Sequence, residues 1–203
     1  ELMEQGSARG VKVMVFPELC LTAYTCSDLF LQETLLKETK NGLKRILQSS
    51  KSKDMVLFVG MPWMHKGKLY NVAAVLNRGR ILGIVPKKHL PNYSEFYELR
   101  HFNPGMEKVE MTDWEGVQVP MGMNLLFACR TMPELVLAAE LCEDVWVPCP
   151  PSISHALAGA TVIANCSASD ETTGKDIYRK DLICGQSARL VCGYIYANAG
   201  EGE

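Results

Sequence analysis

The segment that most constrains this chain spans residues 135–151 and reads LVLAAELCEDVWVPCPP. Its first five residues form an apolar run of the length expected for a buried β-strand. The run then gives way to the acidic segment ELCED, which contains Cys142. Strand ends in α/β folds are where side chains and turn amides point out of the sheet into a site. The position therefore indicates that Cys142 is a candidate nucleophile.

Composition limits the class of protein. The chain has 203 residues, of which 47% are hydrophobic and 22% charged, with a formal net charge of −2. These values are typical of one globular domain, and they give no indication of a nucleic-acid partner or a membrane surface. No apolar run approaches the roughly 20 residues of a membrane-spanning helix, and the first residues do not resemble a signal peptide.

The eight cysteines do not form the pattern of a disulfide scaffold. No C-x-x-C occurs, and the four histidines have no metal-ligand spacing with the cysteines, so we expect no metal site. Most of the cysteines lie inside or beside apolar, strand-like segments. We expect about seven of the eight to be reduced, buried thiols, which favours a cytoplasmic location.

The pattern of apolar residues predicts strands and helices in alternation, within one domain. Strands are predicted at residues 11–16, 55–61, 69–76, 81–85, 125–129, 135–139, 161–165 and 193–198. Helices are predicted at residues 1–9, 28–49 (with Ser27 as its cap), 152–158 and 176–191. The turn sequence at residues 77–80 suits a hairpin, which requires antiparallel pairing. We therefore expect an α/β fold with a mixed sheet, or two packed sheets, and helices outside.

Three polar residues each follow a predicted strand: Glu18, Lys87 and Cys142. If these strands share a sheet edge, the three side chains meet. A buried carboxylate can take the proton of a thiol, and a lysine ammonium can stabilise the oxyanion that forms when the thiolate attacks a carbonyl or nitrile carbon. Lys88 is an alternative to Lys87 on spacing alone.

Three local sequences resemble motifs of the nitrilase, or carbon-nitrogen hydrolase, superfamily. They are FPELCLTAY at residues 16–24, PKKHLP at residues 86–91 and ELCED at residues 140–144, in the order of the family. The resemblance implies a four-layer αββα sandwich and a catalytic triad of Glu18, Lys87 and Cys142. Lys87 is preferred to Lys88 because the family lysine precedes the motif leucine by three positions.

Longer sequence segments at residues 87–98, 142–152 and 196–203 resemble the amidase domains of the glutamine-dependent NAD synthetase family, and the resemblance covers essentially the whole chain. It implies that residues 1–203 are a glutaminase domain truncated at both ends, whose Cys142 forms a thioester with glutamine. The ammonia released would pass to a separate synthetase domain, absent from this chain, that uses ATP and Mg. The resemblance implies no cofactor in the glutaminase domain itself, and it implies a homo-oligomer.

The same resemblance assigns further residues. Glu98 matches the second glutamate, which orients the lysine, and Tyr93, Ser169 and Lys175 match positions that hold the α-amino and carboxylate groups of glutamine. Two positions depart from the family pattern. Ala23 replaces a glycine, which we expect to be harmless, and Lys175 replaces an arginine of some members, which substitutes a point charge for a bidentate contact.

Two other functions are compatible with the sequence. One is a stand-alone amidase, carbamoylase or nitrilase of the same superfamily, which a synthetase domain following Glu203 would exclude. The other is a non-catalytic binding or thiol-sensing module built on a hydrolase fold. An unreactive Cys142 would favour that second alternative.

Overall fold

The computed structural model describes residues 1–200, which form two β-sheets stacked face to face between layers of helices. The strands are β1 (Val13–Val15), β2 (Val56–His65), β3 (Lys68–Asn77), β4 (Arg80–Pro86), β5 (Glu110–Trp114), β6 (Val117–Met121), β7 (Leu126–Ala128), β8 (Val136–Leu141), β9 (Val162–Cys166) and β10 (Gly193–Ala197). The α-helices are α1 (Leu2–Ala8), α2 (Glu33–Ser50), α3 (Pro151–Leu157) and α4 (Lys175–Leu190). Short 3₁₀ helices occupy Ser27–Leu31, Glu98–Arg100 and Cys142–Val145.

Both sheets are mixed, as the sequence predicts. The first has six strands in the order β1-β2-β3-β4-β6-β5, with parallel pairing at β1-β2 and β4-β6 and antiparallel pairing elsewhere. The second has four strands in the order β10-β9-β8-β7, and only β7 is antiparallel to its neighbour. The predicted hairpin between β3 and β4 is confirmed, and its turn residues Arg78 and Gly79 both have positive φ.

Three apolar layers hold the elements together. Phe58, Val75 and Leu141 are among the residues buried between the two sheets. On the outer side of the six-stranded sheet, Leu43 and Leu47 of α2 pack in the same cluster as strand residues of β2 and β3. A further cluster covers the outer side of the four-stranded sheet and includes residues of α3 and α4. The architecture is the four-layer αββα sandwich that the family resemblance implies.

The helix predicted at residues 28–49 is in fact two elements. A 3₁₀ helix ends at Leu31, Gln32 adopts an extended backbone (φ −90°, ψ 127°), and α2 begins at Glu33. Ser27 does not cap α2, because it is the first residue of the 3₁₀ helix and the N-cap position of α2 is Gln32. Its hydroxyl lies 3.0 Å from the hydroxyl of Tyr97. The break falls at Gln32, where the apolar stripe of the sequence is itself interrupted.

The β5–β6 hairpin is absent from the sequence-based assignment. Its strands carry many polar residues, and β5 is the edge strand of the six-stranded sheet, next to β6. The turn is made by Glu115 and Gly116, both with positive φ. An edge strand needs no continuous apolar run, so the hydrophobic pattern here is weak.

The prediction of about seven buried thiols is wrong. All eight cysteines lie among the described residues, but only Cys142, Cys166 and Cys192 are buried, while Cys149 and Cys184 are exposed. Cys184 lies on α4, and only one side of this helix packs against the outer face of the four-stranded sheet. Within residues 1–200, no helix is long and apolar enough to cross a membrane.

Candidate active site

Three strand ends bring Glu18, Lys87 and Cys142 to one place, between the two sheets. Nζ of Lys87 lies 2.6 Å from Oε1 of Glu18 and 2.6 Å from Oε1 of Glu98, and all three residues are buried. Lys87 makes these contacts and its neighbour Lys88, the alternative on spacing, does not. The four residues that the sequence predicts as catalytic thus occupy one cluster.

Asn71 is a polar member of the cluster that the sequence analysis missed. Its Nδ2 donates to Oε1 of Glu18 at 2.7 Å and lies 3.4 Å from Oε2 of Glu98. The signal was present, because Asn71 interrupts an otherwise apolar strand, but its partners are 53 and 27 residues away in the sequence. Tyr24 adds a hydrogen bond from its hydroxyl to Oε1 of Glu98 at 2.7 Å.

The position of Glu18 depends on close backbone packing. A Cβ added at Gly60 of β2 would lie only 2.7 Å from Cα of Glu18, so no larger residue fits there without displacing the segment that carries the carboxylate. The backbone N–H of Glu18 donates to the carbonyl of Ser167, and Oε2 accepts from the N–H of Ala168 at 3.2 Å. The segment after β9 therefore supports Glu18 from the second sheet.

Cys142 begins a sharp turn directly after β8. Its φ of 36° lies in the left-handed region, which a non-glycine residue occupies only when its neighbours hold it there. Its backbone N–H donates to Oδ1 of Asn165 at 3.0 Å. The buried carboxylate of Asp144 accepts from the N–H of Leu141 at 3.0 Å and from that of His89 at 2.8 Å, and so ties this turn to the segment that follows Lys87.

Burial and charge determine the protonation of the cluster. Burial raises the pKa of the Cys142 thiol, the negative charge of Glu18 raises it further, and Lys87 opposes both. Burial likewise raises the pKa of Glu18, against the effect of Lys87. Burial acts to lower the pKa of Lys87, but the carboxylates of Glu18 and Glu98 outweigh it and hold that pKa well above its usual value. These effects favour the thiol form of Cys142 and the ammonium form of Lys87, and they make the carboxylate of Glu18 more basic.

A small cavity of about 80 Å³ opens at Cys142. The side chains that line it include Tyr93, Ser169 and Lys175, the three residues predicted to bind substrate, together with Trp146. The Tyr93 hydroxyl donates to the carboxylate of Glu143 at 3.0 Å. A larger cavity of about 550 Å³ lies alongside and shares Phe96 and Ser169 with the smaller one, but Cys142 does not line it.

Lys175 and Ala23 are the two positions that depart from the family pattern. Nζ of Lys175 forms an ion pair with Asp170 and lies 5.2 Å from the centre of the Trp146 ring. Ala23 has a φ of 85°, the conformation for which glycine is favoured, so the alanine is strained. The substitution is therefore less neutral for stability than the sequence suggests. No group of three or more His, Cys, Asp or Glu side chains in residues 1–200 is placed to hold a metal ion.

The geometry matches a known class of hydrolase. The family model for carbon-nitrogen hydrolases matches residues 1–200, and this chain belongs to that family. Among solved structures of the same fold is an amidase of the nitrilase superfamily from Nesterenkonia, with a TM-score of 0.72 over 97% of this chain and 66% of the amidase. At 17% identity, that likeness concerns the fold alone.

Several proteins that are more similar in sequence to this chain than the amidase are glutamine-dependent NAD(+) synthetases. The chain is 45% identical, over 194 residues, to the glutamine-dependent NAD(+) synthetase of Mycobacterium tuberculosis, and the match covers 96% of this chain but 29% of the synthetase. It is 31% identical to the enzyme of the same name from Saccharomyces cerevisiae, over 94% of this chain and 28% of that enzyme. The crystal structure of a glutamine-dependent NAD(+) synthetase from Cytophaga hutchinsonii has a TM-score of 0.85 at 29% identity, covering 97% of this chain and 31% of that one. The chain thus spans about 30% of the length of these relatives.

Proposed function

We propose that this chain is the glutaminase part of a glutamine-dependent NAD synthetase. It would hydrolyse the side-chain amide of glutamine and supply the ammonia to a synthetase domain, which amidates nicotinic acid adenine dinucleotide to NAD. The observation that carries the proposal is the buried contact of Lys87 with Glu18 and Glu98 beside Cys142. The names of the relatives support glutamine as the substrate.

The first half of the reaction forms a thioester. Glu18 takes the proton of the Cys142 thiol as the sulfur attacks the amide carbon, and the C=O electron pair moves onto oxygen. The ammonium of Lys87 and the backbone N–H of residue 143 stabilise this oxyanion. When the tetrahedral intermediate collapses, the C–N bond breaks, Glu18 gives its proton to the leaving nitrogen, and ammonia departs.

The second half releases glutamate. Glu18, again a carboxylate, takes a proton from a water molecule as the water oxygen attacks the thioester carbon. Collapse of the second tetrahedral intermediate breaks the C–S bond, and the proton held by Glu18 returns to the Cys142 sulfur. Glu98 accepts a hydrogen bond from the ammonium of Lys87 and keeps it in place.

Tyr93, Ser169 and Lys175 would hold the α-amino and carboxylate groups of glutamine, since all three line the cavity that contains Cys142. The ammonium of Lys175 already contacts Asp170, so binding a carboxylate requires this lysine to exchange partners. Lysine offers a point charge rather than the two-pronged contact of arginine, so it holds the substrate carboxylate less rigidly.

The proposal extends to the whole protein. Residues 1–203 would be one domain of a longer chain, whose ligase activity depends on ATP and Mg bound by the synthetase domain. We further propose a cytoplasmic location and a homo-oligomer. Light scattering on the full-length protein tests the assembly, and a monomer at all working concentrations would contradict it.

The alternatives have less support. A stand-alone amidase would share the fold and the triad, but the more similar relatives are about three times as long as this chain and carry the name of a synthetase. A non-catalytic thiol sensor would not need a carboxylate and an ammonium in contact beside its cysteine.

The test compares wild type and Cys142→Ala in the full-length protein, with glutamine or free ammonia as the nitrogen source for NAD formation. We expect the variant to lose glutamine-driven NAD formation and to keep ammonia-driven formation. Cys149→Ala, at an exposed cysteine, is the matched control and should behave as wild type. If other amides or nitriles are hydrolysed and glutamine is not, the stand-alone amidase is the correct assignment.

A further inference from the structure

A buried acid lies beneath Cys142 on the outer face of the four-stranded sheet. Glu140 of β8 and Asn165 of β9 are paired in register, and their side chains share that face with Ala138 and Ile163, under α3 and α4. Both polar residues are essentially inaccessible to solvent. The reaction described above uses neither of them, although the backbone N–H of Cys142 is bonded to Asn165.

Hydrogen bonds connect Glu140 to the nucleophile. Oε2 of Glu140 accepts from the backbone N–H of Ser152 at 2.8 Å, and Oε1 accepts from the hydroxyl of Tyr194. The same hydroxyl accepts from Nδ2 of Asn165 at 3.1 Å. Oδ1 of Asn165 then accepts from the N–H of Cys142 at 3.0 Å.

The chain of bonds has one direction, and Glu140 sets it. Both carboxyl oxygens of Glu140 accept hydrogen bonds here, so Tyr194 commits its single hydroxyl proton to Glu140. The tyrosine oxygen is then left as an acceptor, which draws Nδ2 of Asn165 toward it. The amide of Asn165 therefore has a fixed orientation, with its oxygen toward the N–H of Cys142.

This arrangement is costly for stability. Burial raises the pKa of Glu140, and the hydrogen bonds from Tyr194 and Ser152 oppose that effect. No ion pair to Glu140 occurs among the described residues, so hydrogen bonds alone compensate for its desolvation. Apolar residues at positions 140 and 165 would pack beside Ala138 and Ile163 without the cost of desolvating a buried polar group.

We propose that Glu140 is a positioning residue for the nucleophile, acting through Tyr194 and Asn165. By fixing the amide of Asn165, it holds the left-handed backbone of Cys142 and hence the direction of the next N–H, to which the proposed mechanism assigns the oxyanion. The inference rests on the proposed function of Cys142.

Glu140→Gln is the diagnostic substitution because it keeps the size and changes the hydrogen-bonding pattern. If the glutamine places its NH₂ toward Ser152, two donors face each other. If it places its NH₂ toward Tyr194, the tyrosine proton turns toward Asn165 and favours the reversed amide, whose NH₂ then opposes the N–H of Cys142. We expect kcat for glutamine hydrolysis to fall about tenfold while KM changes less than about twofold.

The second variant, Tyr194→Phe, removes the hydroxyl that links Glu140 to Asn165 and does not reverse the amide of Asn165. We expect a smaller loss of kcat, about threefold, because the Asn165 oxygen still suits the N–H of Cys142. In the double variant, Glu140→Gln should cause no loss beyond that of Tyr194→Phe alone, because nothing transmits the change. Additive losses in kcat would overturn the proposal.

A second readout is independent of glutamine hydrolysis. In the full-length protein, the rate of Cys142 alkylation by iodoacetamide, followed by peptide mass spectrometry, should change several-fold in Glu140→Gln. The alkylation rate of the exposed Cys149 should stay constant.

If wild type hydrolyses no glutamine, the proposed function fails, and the alkylation rate still decides this inference. If Glu140→Gln only lowers the melting temperature, with kcat and the alkylation rate unchanged, Glu140 has a structural role and the inference is wrong.

Discussion

The ammonium nitrogen of Lys87 lies 2.6 Å from Oε1 of Glu18, and neither side chain is exposed to solvent. A second carboxylate, from Glu98, contacts the same ammonium, so one cation faces two acids. Burial raises the pKa of Glu18, the charge of Glu98 adds to this effect and Lys87 opposes it, so Glu18 is a stronger base than an exposed glutamate. The stability of the site and its chemistry therefore depend on the same ionic cluster.

Lys87→Met should destabilise the protein as well as inactivate it. The substitution leaves two buried carboxylates without their cation, and breaking a buried pair in this way costs about 3–5 kcal/mol in the free energy of unfolding. Urea denaturation at pH 7 measures the loss. The control is Lys88→Met, because Lys88 is only half-buried and its change should stay within about 0.5 kcal/mol. Equal losses for the two variants would contradict the assigned register.

The acid side of the pH–activity profile should report Glu18. The base must be a carboxylate, so kcat/KM falls as the pH drops through the pKa of Glu18, and burial places that pKa above the ordinary value of 4.5. The charge of Glu98 also raises it. In Glu98→Gln, the acid limb of the residual activity should therefore move to lower pH. A shift to higher pH would show that another group titrates.

Gly60→Ala should reduce activity from a position that touches no substrate. The added methyl group would displace the backbone at Glu18, and kcat should fall about tenfold or more, since small errors in the position of a catalytic group have large effects. Gly42→Ala in α2 is the control, because a Cβ there meets no atom within 4 Å. That variant should gain about 0.5–1 kcal/mol in stability from helix propensity and keep its activity.

Ala23→Gly should stabilise the chain. The left-handed backbone costs a non-glycine residue about 1–2 kcal/mol, and glycine loses about 0.5–1 kcal/mol through the greater freedom of the unfolded chain. The difference predicts a net gain of about 0.5–1 kcal/mol in the free energy of unfolding, measurable by urea denaturation. A net loss would mean that the native backbone is not left-handed at residue 23.

Much of this fold follows from sequence because the central strands are buried on both faces. Their continuous apolar runs locate most strands to within a few residues, and the ends of the runs make Glu18, Lys87 and Cys142 candidates. The choice of Lys87 over Lys88 needs the family resemblance. The edge hairpin of β5 and β6 has no such run and was missed. Glu98 lies in a polar loop where no pattern distinguishes one acid from another, and only the family resemblance indicates it.

The supporting polar residues were missed for a different reason. Asn71 and Asn165 form hydrogen bonds with residues that strand register and sheet stacking bring close. The spacing of these residues along the chain does not indicate the contacts. A polar residue inside an apolar strand was the available signal. Its function could be assigned only after the two sheets were placed together.

The most direct test of the account is to look for the acyl group on Cys142. The full-length protein is mixed with glutamine, quenched rapidly in acid and analysed by mass spectrometry. We expect an increase equal to one γ-glutamyl group, located on the peptide that contains Cys142 and absent from Cys142→Ala. A glutamyl group on another residue, or glutamine turnover that persists in Cys142→Ala, would contradict the assignment of Cys142 as the nucleophile.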